Sequence, residues 1–217
     1  MSRCLVVVAM VCLVLALSTG AWASASLLGP SGLLLIPTAD SLGMAQWNAG
    51  ASILTEDGLD LNAIYANYGV SNGFEIGASR VSPEHQDSET LLNAKFRLPQ
   101  PVPVKLDWAV GMADITDQFE RSTYVVASHT FGAGLVPKNG LMTAPRLHLG
   151  IGNGQLDGLF GGVSATLGNH VDVMAEYDGS HLNLGARLPL AHHLDVTAAA
   201  LDGLSDFGVG LTLSSPW

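Results

Sequence analysis

The stretch "VKLDWAVGM", residues 104–112, alternates without a break. Val104, Leu106, Trp108, Val110 and Met112 fall on one face, and Lys105, Asp107, Ala109 and Gly111 on the other. Successive side chains of a β-strand point to opposite sides, so this reads as a strand with one apolar face and one small or polar face. The pattern recurs in "RLHLGIG" (146–152), "HVDVMAEY" (170–177), "HLNLGARL" (181–188) and "HLDVTAAA" (193–200). No helical period of 3.6 residues follows the first 25 residues. About twelve alternating segments lie near 44–54, 59–68, 73–81, 90–98, 103–112, 121–131, 145–152, 159–167, 170–177, 181–188, 193–201 and 206–215. Most have the length that a tilted strand needs to cross a bilayer, and an even number suits a single-chain bacterial barrel.

The connections differ by end. Counted from the first strand, the odd ones hold nearly all loop acids, among them Glu84, Asp87, Glu89, Asp114, Asp117 and Glu120. The even ones hold none and carry Lys138, with prolines in or beside them. A sandwich in water has no reason for two different ends; a barrel across an outer membrane does. In lipid every backbone polar group must be paired internally, which for strands means closure. The expected fold is therefore all-β: an antiparallel transmembrane barrel of about twelve strands, apolar outside and polar and glycine-rich inside, in the outer membrane of a diderm bacterium.

The N-terminus reads as a secretory leader. Arg3 precedes an apolar run from Leu5 to Leu17, too short for a stable span, and Ala21-Trp22-Ala23 and Ala23-Ser24-Ala25 fit cleavage sites. The expected organisation is a signal peptide over 1–25, cut after Ala23 or Ala25, a periplasmic segment over 26–43, and the barrel over 44–217. Both cysteines, Cys4 and Cys12, lie in the leader, so disulfide and thiol chemistry are absent from the mature chain. The formal net charge of −10 argues against nucleic acid, which needs basic surface. Yet charged residues are only 13% and the mean hydropathy is +0.34, an apolar chain despite its acidity.

At the C-terminus, "FGVGLTLSSPW" (207–217) places Val209, Leu211, Leu213 and Trp217 at alternate positions, with Ser215 interrupting and Pro216 unable to donate to a ladder. It resembles the terminal strand by which outer-membrane barrels are recognised by the barrel-assembly machinery. That machinery and outer-membrane lipid are the expected partners.

The stretch "LLGPSGLLLIPTADSLGMAQWNAGAS" (27–52) combines a Gly-Leu run, a Pro-Thr-Ala turn and a first outward strand. From Gly32 to about Gly50 it resembles the opening of YjbH-like outer-membrane proteins. That resemblance implies a barrel associated with exopolysaccharide, and polysaccharide as a further partner.

The inward faces carry the candidate site. Glu75, Lys95, Arg97, Lys105 and Asp107 fall on the third to fifth strands, and Asp172, Glu176, Arg187 and Asp195 on the ninth to eleventh. They read either as a structural charge network or as a charged constriction lining a small pore, with inward Gly and Ala keeping space open. The odd-loop acids Glu84, Asp87, Glu89, Asp114, Asp117 and Glu120 form a rim, read as a solvated acidic surface or as a weak, diffuse site for divalent cations. No segment has the spacing of an EF-hand.

Enzymatic patterns are poor. "GGVSATLG" (161–168) misses G-x-S-x-G at Thr166, and Ser128 and His129, being adjacent, face opposite ways. His192-His193 and His170 fall at even turns and read as polar turn residues or, alternatively, as a metal site. The expectation is a non-enzymatic barrel without cofactor, linked to export or surface retention of polysaccharide or to passage of small polar solutes. A structural or adhesive surface barrel with a filled lumen is the alternative, and a barrel hydrolase the second.

Overall fold

In the computed structural model of this chain, residues 23–56, 59–99, 106–131, 142–168 and 170–216 are described. The leader up to residue 22, Lys105, Lys138 and Trp217 lie outside them. Twelve strands follow in order: β1 (Trp47–Glu56), β2 (Leu59–Ser71), β3 (Phe74–Pro83), β4 (Glu89–Arg97), β5 (Leu106–Ala113), β6 (Ser122–Thr130), β7 (Met142–Gly152), β8 (Gly158–Leu167), β9 (Val171–Tyr177), β10 (Leu182–Ala191), β11 (Leu194–Leu201) and β12 (Asp206–Ser214). Each pairs antiparallel with its neighbours, and β12 returns to β1 to close the barrel.

Closure runs from Asn48 opposite Ser214 to Leu54 opposite Gly208. It also explains Ser215, the residue that broke the terminal alternation. Its N–H donates to the Trp47 carbonyl at 2.8 Å, and its Oγ accepts from the Trp47 N–H at 3.1 Å. An apolar side chain there would leave the Trp47 N–H without that acceptor. The short connections use residues that tolerate positive φ. Gly73 (φ 103°) serves the β2–β3 turn, and His193 (φ 69°) ends the two-residue β10–β11 turn, so the adjacent histidines are turn residues.

The two faces invert the arrangement of a soluble protein. Ile53, Ile64, Leu149, Ile151, Leu184, Val209 and Leu211 are exposed on the outside, while Asn48, Asn67, Ser79, Ser128, Asn183, Thr197 and Thr212 are buried within. This is the distribution of a barrel that meets lipid with its outer face.

The segment expected to lie outside the barrel on the periplasmic side lies inside it. Residues 24–43 fill the lumen, with Leu27, Leu34 and Ile36 at 1% exposure or less. The physical reason is width. A barrel of about eight strands can be filled by its own side chains, and diameter grows with strand number. Here several inward positions are glycine, which widens the lumen further. A Cβ at Gly185 would come within 2.5 Å of Leu34 Cδ2, one at Gly162 within 2.6 Å of Leu33 Cδ1, and one at Gly208 within 2.7 Å of Leu27 Cδ1. The segment turns back on itself through the bridges Ala25–Ser31 and Gly32–Pro37. It touches Asn48, near the start of β1, at Ala23, and it leaves beside the β2–β3 turn, where Met44 N–H donates to Asn72 Oδ1. Both ends of the segment are thus at the even-turn mouth.

Candidate functional site

The lumen wall grips the segment by its backbone. Glu75 on β3 accepts from the Ser31 N–H (3.2 Å), the Ser31 hydroxyl (2.6 Å) and the Leu42 N–H (2.9 Å). Glu176 on β9 accepts from the N–H groups of Leu34 (2.9 Å) and Leu35 (2.8 Å). Lys95 Nζ on β4 donates to the Ser31 carbonyl at 2.7 Å. Arg187 on β10 donates to the carbonyls of Ala25 (2.8 Å) and Leu33 (3.0 Å). Uncharged side chains add to this: the hydroxyls of Ser52 and Ser79 donate to the Leu27 and Leu28 carbonyls, and the Asn67 amide to that of Gly29. The segment pairs some of its backbone groups within itself, as Leu27 N–H does with the Leu34 carbonyl, and side chains of the wall satisfy others that are buried.

Four of the nine inward charges read from the sequence, Glu75, Lys95, Glu176 and Arg187, therefore meet on the segment. The others do not. Arg97 and Asp107 pair with each other at 2.5 Å and are partly exposed. Asp172 accepts from the Thr166 hydroxyl and stands opposite Arg187 in the β9–β10 register. Asp195 faces inward on β11, opposite Pro189 and Thr212.

The sequence reading also missed the roles of Arg146, Ser128 and His148. Arg146 on β7 binds Asp40 of the segment with both terminal nitrogens, at 2.5 and 2.9 Å. Beside it, Ser128 on β6 accepts from the Ala39 N–H at 3.0 Å and shares a 2.7 Å hydrogen bond with His148 Nδ1. His148 Nε2 reaches Ser164 Oγ at 3.3 Å. Alternation along "RLHLGIG" places Arg146 and His148 inward, and that was the available signal. The histidine partner of Ser128 is thus the cross-strand His148, not the adjacent His129. Both residues are covered by the segment, at 0% and 1% exposure, so an acyl substrate has no approach to the pair while the segment is docked.

Little space remains. A void of about 10 Å³ lies among Pro30, Glu75, Lys95 and Tyr124, about one water's worth. A cleft of about 510 Å³ opens at the even-turn mouth between Ser41–Gly43, Asn72–Gly73 and Phe96–Pro99.

At the other mouth the acidic rim divides. Asp114 turns inward: its carboxylate accepts from the N–H groups of Gln118 and Phe119 and from the Thr116 hydroxyl. Burial works to raise its pKa, but these donors outweigh it and hold the carboxyl below its usual range. Its oxygens are taken by its own loop, which removes it from the cation rim. Asp117 accepts from the Arg121 N–H and lies 3.6 Å from that guanidinium. Glu84 accepts from the Asp60 N–H. No cluster of three or more His, Cys, Asp or Glu that could hold a metal occurs among the described residues.

Two solved structures share this architecture. The KdgM porin is 12% identical, with a TM-score of 0.55, over 78% of this chain and 99% of that one. The outer membrane protein Omp33 of Acinetobacter baumannii is 8% identical, with a TM-score of 0.50, over 80% and 98%. The fold is that of an outer-membrane porin barrel. At such identity the likeness is one of fold alone. No family model and no curated protein matches the chain.

Proposed function

We propose that this chain is a porin-like outer-membrane barrel whose passage is closed by its own N-terminal segment and opens to small polar solutes when that segment leaves. The observation that carries this is the manner of holding. The wall offers Gly, Ser, Asn and charged residues beside a few large ones such as Tyr124, Phe160 and Met174, which together leave room for a separate segment, and it binds that segment through backbone groups. A barrel of about eight strands is filled by side chains of its own strands, whereas this wider one leaves room that a separate segment occupies. The even-turn mouth, where the segment enters and leaves, faces the periplasm in this reading, and the acidic loops face outward. The resemblance of residues 32–50 to YjbH-like proteins supports a link to polysaccharide, with glycans among the solutes.

Planar-bilayer recording tests the reading. The full chain should stay closed for most of the record, and a chain lacking residues 24–43 should give steady conductance steps. A shortened chain that folds, judged by its heat-modifiable mobility, and never conducts would overturn it.

A further inference from the structure

The segment between Ser24 and Gly43 contains one charged residue, Asp40. Its basic neighbours in the wall are Arg146, His148 and Lys95. Both terminal nitrogens of Arg146 bind its carboxylate, in the two-point geometry that guanidinium offers to a planar anion. Lys95, on β4 and three strands along the wall from β7, reaches the same turn of the segment and donates to the carbonyls of Ser31 and Thr38. Ser128 holds the Ala39 N–H, with His148 fixing the serine from behind. Thr38, Ala39 and Asp40 are thus held by three side chains of the wall, from β4, β6 and β7.

The charge balance around the two cations differs. Lys95 stands opposite Glu75 in the β3–β4 register and keeps a carboxylate neighbour whether or not the segment is present. Arg146 stands opposite Thr130 and Ser164, neither of them acidic. Asp40 is its hydrogen-bonded carboxylate, and its Nε, buried, has no partner among the described residues. Removing one member of a buried pair leaves an uncompensated charge, the costly event in such a pair. When the segment leaves, Arg146 therefore faces the lumen as a fork of donors without its hydrogen-bonded anion, with Asp107, itself paired to Arg97, as the acidic neighbour that remains.

We propose that Arg146, with Lys95 reaching the same turn of the segment from β4, is a binding site for the carboxylate of a passing solute, for which Asp40 is the built-in stand-in. This rests on the reading that the segment leaves the lumen. A solute carboxylate and Asp40 then compete for the same fork, so carboxylate solutes hold the barrel open, because a ligand that binds one state alone shifts the balance toward it.

The test uses the full chain and its variants in planar bilayers, with D-gluconate as the carboxylate probe and D-glucose as its neutral counterpart. The Asp40→Asn variant, without the competing anion, should open at least about tenfold more often than the parent. In its open state gluconate should interrupt the current in a concentration-dependent way, and glucose should not. Adding Arg146→Gln should weaken that interruption at least about tenfold. Arg146→Lys, which keeps the charge and loses the fork, serves if the glutamine variant does not fold, and should weaken it as well. Channels that open but respond alike to gluconate and glucose, or whose gluconate response survives both changes at Arg146, overturn the carboxylate site and leave the plugged-barrel reading standing. Folded barrels that never open, with or without residues 24–43, overturn that reading and this one with it.

Discussion

Replacing Glu176 with alanine is expected to weaken docking of the N-terminal segment by about 2–6 kcal/mol. The carboxylate accepts from the buried N–H groups of Leu34 and Leu35, and each buried donor left unsatisfied costs about 1–3 kcal/mol. That range corresponds to a roughly 30-fold to 10⁴-fold shift toward the undocked state. The barrel itself should persist, since every strand of the wall keeps its ladder. Limited proteolysis in micelles reads the effect: cleavage between residues 24 and 43 should become fast while the barrel stays resistant. If the segment in the folded variant is as protected as in the parent, its grip by Glu176 carries no weight in docking.

Leu184→Arg acts on the other face. Leu184 is an outward residue of β10, exposed in the bare protein and expected to meet acyl chains in a membrane. Arginine near the bilayer midplane costs about 2–4 kcal/mol, so unfolding in lipid vesicles should shift by that amount. The inward neighbour Asn183 provides the contrast. Its amide donates to Glu176 and to Asp178, and Asn183→Ala should loosen those contacts and move membrane stability less than the arginine does. Equal losses at both positions would mean that both faces pack against protein.

These two faces mark what the sequence made legible. Outward residues answer to lipid, a uniform solvent that demands apolar side chains at every second position. Period-two alternation therefore located all twelve strands, and most ends fall within three residues of the observed ones. The acidic and proline-rich connections were equally plain. The lumen was not, because its occupant is held through backbone N–H and C=O groups that every sequence possesses. Nothing in "LLGPSGLLLIPTAD" specifies that Glu176 will bind at Leu34 rather than elsewhere. Two features pointed inward all the same. The chain keeps Gly at inward positions such as Gly162 and Gly185, where an unfilled barrel of this size would be hollow. The same chain carries Leu33, Leu34, Leu35 and Ile36 in a stretch assigned to water. Leu33 and Leu34 fit the space that Gly162 and Gly185 leave.

The charged residues show a similar division. Alternation placed Glu75, Lys95, Glu176 and Arg187 on the inner face, as observed, but it cannot say what an inward charge binds. Arg146 and His148 follow the same alternation. Their importance came from Asp40 and Ala39, more than a hundred residues earlier in the chain and joined to them only in the folded lumen. Asp114 shows the reverse, a loop acid grouped with its neighbours by sequence and withdrawn by the hydrogen bonds of its own loop.

The central claim is that residues 24–43 occupy the lumen, and thiol labelling tests it most directly. The chain from Ala23 onward contains no cysteine, so single cysteines report one site each. Ala39 is fully buried beneath Ser128, and Met44, five residues on, is 65% exposed at the mouth. In folded barrels a water-soluble maleimide should modify the Ala39→Cys variant at least about a hundredfold more slowly than Met44→Cys, which corresponds to about 2.7 kcal/mol of protection by docking. Equal rates at the two positions, in barrels that retain heat-modifiable mobility, would contradict an occupied lumen.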